Sequence, residues 1–183
     1  MVDVFRCYEL WQLAKESSKL PAGSILEVGV WRGGTGCLIA SAVPDVPVYL
    51  CDTFAGIPET KVSSADTYLG GEHAETAEEI VRELINSLEC RNVHILNGVF
   101  PDQTGHLCSD SLRIVHIDVD VYQSGKDVLD WVWPRLVRGG IVVFDDYGFQ
   151  SCPGITKLVD EQRSQADRTV LQNLNGHGIL IKH

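Results

Sequence analysis

The chain has 183 residues, 44% of them apolar, enough to bury one sizeable core, and it is read as a single domain over residues 1–183. A formal charge of −10 gives a surface field that repels phosphate backbones and anionic lipid heads, which argues against nucleic acid or a membrane surface as partner. Charges punctuate the amino-terminal stretch (Asp3, Arg6, Glu9, Lys15, Glu16, Lys19) and no apolar run approaches the ~20 residues of a bilayer span, so a cytoplasmic protein without a targeting segment is expected.

In chain order, residues 1–22 are expected to hold an amino-terminal helix: Leu10, Leu13, Ala14 and Leu20 recur at helical spacing from Val4 to Leu20, and Pro21-Ala22-Gly23 ends it. An apolar run, Ile25 to Val30, a Gly-rich turn, a helix from Thr35 to Ala42 and a second apolar run, Val46 to Cys51, make a β-α-β unit. The polar stretch 52–73 is too long for an ordinary connection and reads as a functional loop or a partly helical insert near the active site. A helix from Ala74 to Glu89 follows. Strands are expected at Val93 to Leu96, Arg113 to Ile117 and Ile141 to Phe144, with a helix from Gly125 to Leu136 before the last. A helix around Ile155 to Ala166 leads to strands Val170 to Leu174 and Gly178 to Lys182, joined through Asn175-Gly176-His177 as a hairpin. The sum is an α/β fold with a doubly wound, mostly parallel seven-stranded sheet closed by an antiparallel hairpin, the class I methyltransferase topology; an ordinary NAD fold lacks the hairpin.

Six dispersed cysteines without a C-x-x-C pair indicate neither a disulfide framework nor a zinc site, and no two histidines fall at paired-ligand spacing on a helix. His116 is read as a packed, hydrogen-bonded residue, and His73, beside Glu72 and Glu75, as part of a solvated loop. Tyr122 and Tyr147 either line a site or simply pack.

Glu27-Val28-Gly29-Val30-Trp31-Arg32-Gly33-Gly34-Thr35 lies where the first strand ends and the first sheet helix begins, the place where open α/β sheets bind ligands. Gly29 and Gly33 permit close backbone approach, and free N–H groups at the helix start suit a carboxylate such as the methionyl tail of S-adenosylmethionine (SAM). Trp31 stands where dinucleotide folds prefer glycine and tilts the loop from NAD toward SAM. Asp52, ending the second strand, is placed to accept hydrogen bonds from a ribose diol, and Asn97-Gly98, ending the third, to lie against a base.

The sharpest signal is acidic. Asp118 and Asp120 end the fourth strand and Asp145 and Asp146 end the fifth, 145 − 118 = 27 residues later, on strands expected to be neighbours. Like charges crowded on one rim call for a neutralising cation, and all-carboxylate donors favour a hard one: Mg²⁺ first, then Mn²⁺ or Ca²⁺.

With both blocks in view, the sequence resembles the macrocin O-methyltransferase (TylF-type) family, SAM-dependent enzymes that methylate sugar hydroxyls of natural products. The resemblance runs through Arg6 to Lys15, Leu26 to Thr35, Asp52-Thr-Phe-Ala-Gly-Ile-Pro58, Gly98-Val-Phe-Pro-Asp102, Asp118-x-Asp120-x-Tyr122-x-Ser124 and Asp145-Asp146-Tyr147. It implies that Asp118, Asp145 and Asp146 bind Mg²⁺, that Asp120 is the general base with Asp118 beside it, and that Thr53 and Phe54 join the cofactor contacts. The implied partner is a small hydroxylated acceptor, and a homodimer is the default expectation. Val99 and Gln103-Thr104-Gly105 replace the family's Trp and Thr-Leu-Pro, so the acceptor-facing loop is expected to differ; the lid formed by an amino-terminal extension in longer members is not expected to carry over. A catechol-type O-methyltransferase has Asp-Asn where this chain has Asp145-Asp146, a metal-dependent hydrolase would need neither the Gly-rich loop nor Asp52, and a non-catalytic SAM-binding module would not need four crowded carboxylates.

Overall fold

Alternation along the strands divides the apolar side chains between two cores. In the computed structural model, which describes residues 2–183, strand β1 (Ser24–Val28) is buried throughout. It sends Ile25 toward helices α1 (Val4–Glu16), α2 (Gly34–Ala42) and α3 (Glu78–Ser87), and Leu26 and Val28 toward α4 (Tyr122–Val132) and α5 (Pro153–Glu161). Strands β2 (Val48–Asp52), β3 (Val93–Asn97), β4 (Leu112–Ile117), β5 (Leu136–Phe144), β6 (Arg168–Gln172) and β7 (Gly178–Lys182) complete a seven-stranded sheet in the order β3-β2-β1-β4-β5-β7-β6. The first five strands run parallel, while β7 pairs antiparallel to both β5 and β6. Near-continuous apolar strands suit a sheet covered by helices on both faces. The topology is the expected one.

Several boundaries differ from the sequence expectation. The helix expected to Leu136 stops at Val132, because Pro134 turns the chain through a short 3-10 segment (Trp133–Arg135) into a longer β5. The helix expected from Ala74 starts at Glu78, and the 52–73 stretch remains loop except for one 3-10 turn, Glu59–Lys61. Asn175-Gly176 is not a two-residue turn: Gln172 pairs with Gly178, and the loop 173–177 is organised by the Asn173 side-chain oxygen, which accepts from the backbone N–H of Asn175 and His177. Among the described residues no helix is long and apolar enough to cross a membrane. All six cysteines are free.

Because β1 and β4 are central neighbours with β2 and β5 outside them, the carboxyl ends of all four open on one side of the sheet. That edge is the candidate site.

Candidate active site

A cavity of about 340 Å³ lies across those strand ends. One wall carries Gly29, Trp31, Asp52, Thr53 and Gly98; the other carries Asp118, Asp120, Asp145 and Asp146, and Arg6, Tyr68 and His73 also line the space. The two sequence signals, glycine loop and carboxylate cluster, therefore share one space.

Gly29 is required where it stands. Its φ is +87°, and a Cβ there would lie 1.8 Å from the Asp118 carbonyl oxygen, so only glycine lets the first loop run against the fourth strand's end. Asp52 orders the same loop: Oδ2 accepts from the backbone N–H of Val30 (2.7 Å) and Trp31 (2.8 Å), and Oδ1 from that of Phe54 (2.8 Å). A carboxylate offers about four acceptor positions, so most of this one is spent before any ribose arrives. Sequence reasoning missed this role. The Trp31 indole N–H is buried without a partner on the same wall.

Other expected cofactor residues lie elsewhere. Glu27 is a correction: it is fully buried and hydrogen-bonded to His116 Nδ1 (2.8 Å), on the α1–α3 side of the sheet, because alternation turns it away from the side of Val28. Val30, Arg32, Gly33, Gly34, Thr35, Phe54 and Asn97 do not line the cavity. Arg32 stacks on Trp31 and bonds the Glu75 carbonyl, Gly33 caps α2 at φ +80°, and Asn97 donates to Glu78.

The acidic wall is held under strain. Trp31, His73, Asp120 and Asp146 are four of the six non-glycine residues with positive φ among the described residues, and all four line the cavity. Such outliers persist where surrounding structure dictates them and concentrate at functional sites. Burial, then Asp145, Asp120 and Asp146, hold the Asp118 carboxyl well above the ordinary carboxylate range. Burial and then Asp146 push Asp120 up to about 6. The counter-charge within the cluster is Arg6, whose Nη1 bonds Oδ1 of Asp145 and Oδ1 of Asp146, the latter at 3.0 Å. A cation thus already stands between two of the four carboxylates. Arg6 was not singled out as a site residue by sequence; only its place in the block Arg6 to Lys15 pointed to it.

His73, expected in a solvated loop, lines the cavity with Nε2 4.0 Å from Asp120 Oδ2, although its side chain is 49% exposed. His116 is buried and hydrogen-bonded, as read from the sequence. Tyr122 and Tyr147 stay off the cavity wall and bond Glu161 and Asp160 at the surface.

The sequence model of the macrocin-O-methyltransferase (TylF) family matches residues 10–180. Demethyldecarbamoylnovobiocin O-methyltransferase of Streptomyces niveus is 34% identical over 161 residues, which cover 79% of this chain and 60% of that protein. Mycinamicin III 3''-O-methyltransferase of Micromonospora griseorubida is 33% identical over 147 residues, 71% of this chain and 57% of that protein. The solved structure of the O-methyltransferase NovP superposes with a TM-score of 0.83 at 27% identity, covering 97% of this chain and 79% of that one. The chain thus spans about three fifths of the length of these two curated relatives.

Proposed function

The chain belongs to the macrocin-O-methyltransferase (TylF) family, and from that premise we propose that it transfers the methyl group of SAM to a hydroxyl of a sugar or other natural-product metabolite, with dependence on Mg²⁺. The observation that carries the reading is the shared cavity, in which a glycine-lined cofactor wall faces four carboxylates.

The residues present fit both groups. For SAM, Gly29 and Gly98 leave backbone exposed to a ligand, and the unpartnered Trp31 N–H offers a donor on the same wall. Asp52 holds the loop around the cofactor and has one acceptor position left for a ribose hydroxyl. For Mg²⁺, the donors facing the cavity are carboxylate oxygens of Asp118, Asp145 and Asp146, the hard set this ion prefers, and their mutual repulsion is only partly answered by Arg6. A divalent cation there supplies Lewis acidity that eases loss of a hydroxyl proton.

In this reading Asp120 takes that proton at its carboxylate. Its place beside Asp118, on a strained residue aimed into the cavity, puts an acceptor next to the cation-binding oxygens. His73 faces Asp120 from the loop side. The walls orient donor and acceptor for in-line transfer, and this positioning contributes much of the acceleration.

Calorimetric titration of the protein with SAM and with NAD⁺, each with and without Mg²⁺, tests the proposal. SAM binding with no response to NAD⁺ supports it, and absence of SAM binding in both conditions overturns it.

A further inference from the structure

Behind Asp145, on the side of the sheet away from α4 and α5, lies a buried polar cluster whose two histidines have no part in the proposed methyl transfer. His116 on β4 and His177 before β7 are both fully buried, and Nε2 of each has no hydrogen-bond partner. Both Nε2 atoms face Asp145: His177 is 3.6 Å from Oδ1 and His116 3.9 Å from Oδ2. These separations exceed hydrogen-bonding distance. They match the spacing of two ligands bound to one ion, since bonds of about 2.1 Å at open angles set ligand atoms roughly 3.4–3.9 Å apart. One ligand atom from each residue can be chosen so that all lie within 4.8 Å of one another.

The opposite ring nitrogens supply a second, independent observation. His116 Nδ1 is 2.8 Å from Glu27 Oε1, and His177 Nδ1 is paired with Glu9 Oε2. A carboxylate on one nitrogen, fixing the tautomer so that the other presents its lone pair, is the arrangement that orients metal-ligating histidines. Two lone pairs and a carboxylate then converge. The carboxyl groups of Glu9, Glu27, Asp145 and Asp146 gather around one guanidinium, Arg6, which Asp3 also shares, so a dication suits the cluster.

We propose that His116, His177 and Asp145 form a binding site for a first-row transition-metal dication, Zn²⁺ foremost, on the histidine side of Asp145, a carboxylate it shares with the acidic wall of the cavity. Two imidazoles and one carboxylate select such an ion over Mg²⁺. Bound there, the ion ties β4, β7 and, through Glu9, helix α1 to the Asp145 carboxylate.

The test uses the full chain stripped with chelator and needs neither SAM nor an acceptor, so its outcome is independent of the methyltransferase reading. Zn²⁺ is titrated calorimetrically, Co²⁺ is followed by its visible spectrum, and X-ray absorption of the Zn²⁺ protein counts nitrogen ligands. One tight site with two imidazole nitrogens, formed in the absence of Mg²⁺, is expected. His177→Gln should weaken Zn²⁺ at least tenfold, and Glu9→Gln by about 10–100-fold. If buried His116→Gln or His177→Gln fails to fold, Glu9→Gln, at a partly exposed position, carries the comparison. No Zn²⁺ binding to the folded chain, oxygen-only ligation, or unchanged affinity in His177→Gln overturns the proposal and leaves a proton as the cation between the rings and Asp145.

Discussion

Arg6 and Asp145 stand 139 residues apart in sequence and meet in a buried ion pair, with side chains 7% and 1% exposed. The first turn of α1 is thereby fastened to the end of β5, with Asp3 both capping that turn and bonding the Arg6 Nε at 2.9 Å. Burial alone would weaken the Arg6 charge, but Asp145, Asp3 and Asp146 together raise its pKa.

Arg6→Met should therefore leave two carboxylates facing each other without their nearest cation. Removing one partner of a buried pair costs about 3–5 kcal/mol, so the metal-free variant is expected to unfold at markedly lower urea concentration than the wild type. Mg²⁺ should restore part of that loss, because a ligand that binds only the folded state stabilises it by mass action. Urea denaturation with and without Mg²⁺ measures both. A loss that Mg²⁺ leaves untouched would count against ion binding at Asp145 and Asp146.

Asp120→Asn separates binding from chemistry. The amide keeps the shape at φ +62° but cannot take a proton, so SAM and Mg²⁺ affinity should be retained while turnover falls about 10²–10⁴-fold. Calorimetry and single-turnover kinetics with an acceptor that the wild type methylates check the two halves, and an unaltered rate would remove Asp120 as the base.

Gly29→Ala tests the joint between the cofactor loop and the acidic strand. The new Cβ would meet the Asp118 carbonyl oxygen at 1.8 Å, on a backbone conformation that L-residues avoid. Strain and overpacking together should cost on the order of 2–6 kcal/mol. Thermal unfolding reads the loss, and a variant with wild-type stability would show that this contact can relax.

How much of this was legible follows from where each signal resides. The sheet could be read because buried parallel strands are continuous apolar runs, and the acidic cluster because Asp118, Asp120, Asp145 and Asp146 occupy strand ends that the topology makes neighbours. Glu27 was misplaced because its position in the motif suggested the ligand, whereas strand alternation sends it to His116 on the opposite side. Arg6 with Asp145 and His116 with His177 carry no local pattern: their partners are fixed only when α1 and β7 pack beside β4 and β5. Asp52 showed its location in sequence but not its bonds to Val30 and Trp31, which depend on the loop's fold.

The stretch 52–73, read from sequence as a functional loop or a partly helical insert, is fastened to the body at several points. Lys61 Nζ reaches Asp127 on α4 at 2.6 Å and Asp102 at 3.0 Å, and Thr67 Oγ1 donates to the Ser151 carbonyl. Asp66 Oδ1 accepts from the Tyr122 N–H at 2.8 Å, supplying the helix cap that Val121 cannot. Asp66 Oδ2 also accepts from both the backbone N–H and the hydroxyl of Ser63, so one side chain closes the loop on itself and onto α4. Asp66→Ala should remove more than a surface contact: losing a cap costs about 0.5–2 kcal/mol, and here the loop loses its anchor as well. Amide exchange is expected to quicken across residues 59–71 and the first turn of α4 while β1, β4 and β5 keep their protection. Lys61→Met should quicken the same loop but leave the Tyr122 amide protected, because the cap remains. Equal protection in both variants and wild type would mean that packing of Ile57 and Tyr68, rather than these polar contacts, holds the loop over the cavity.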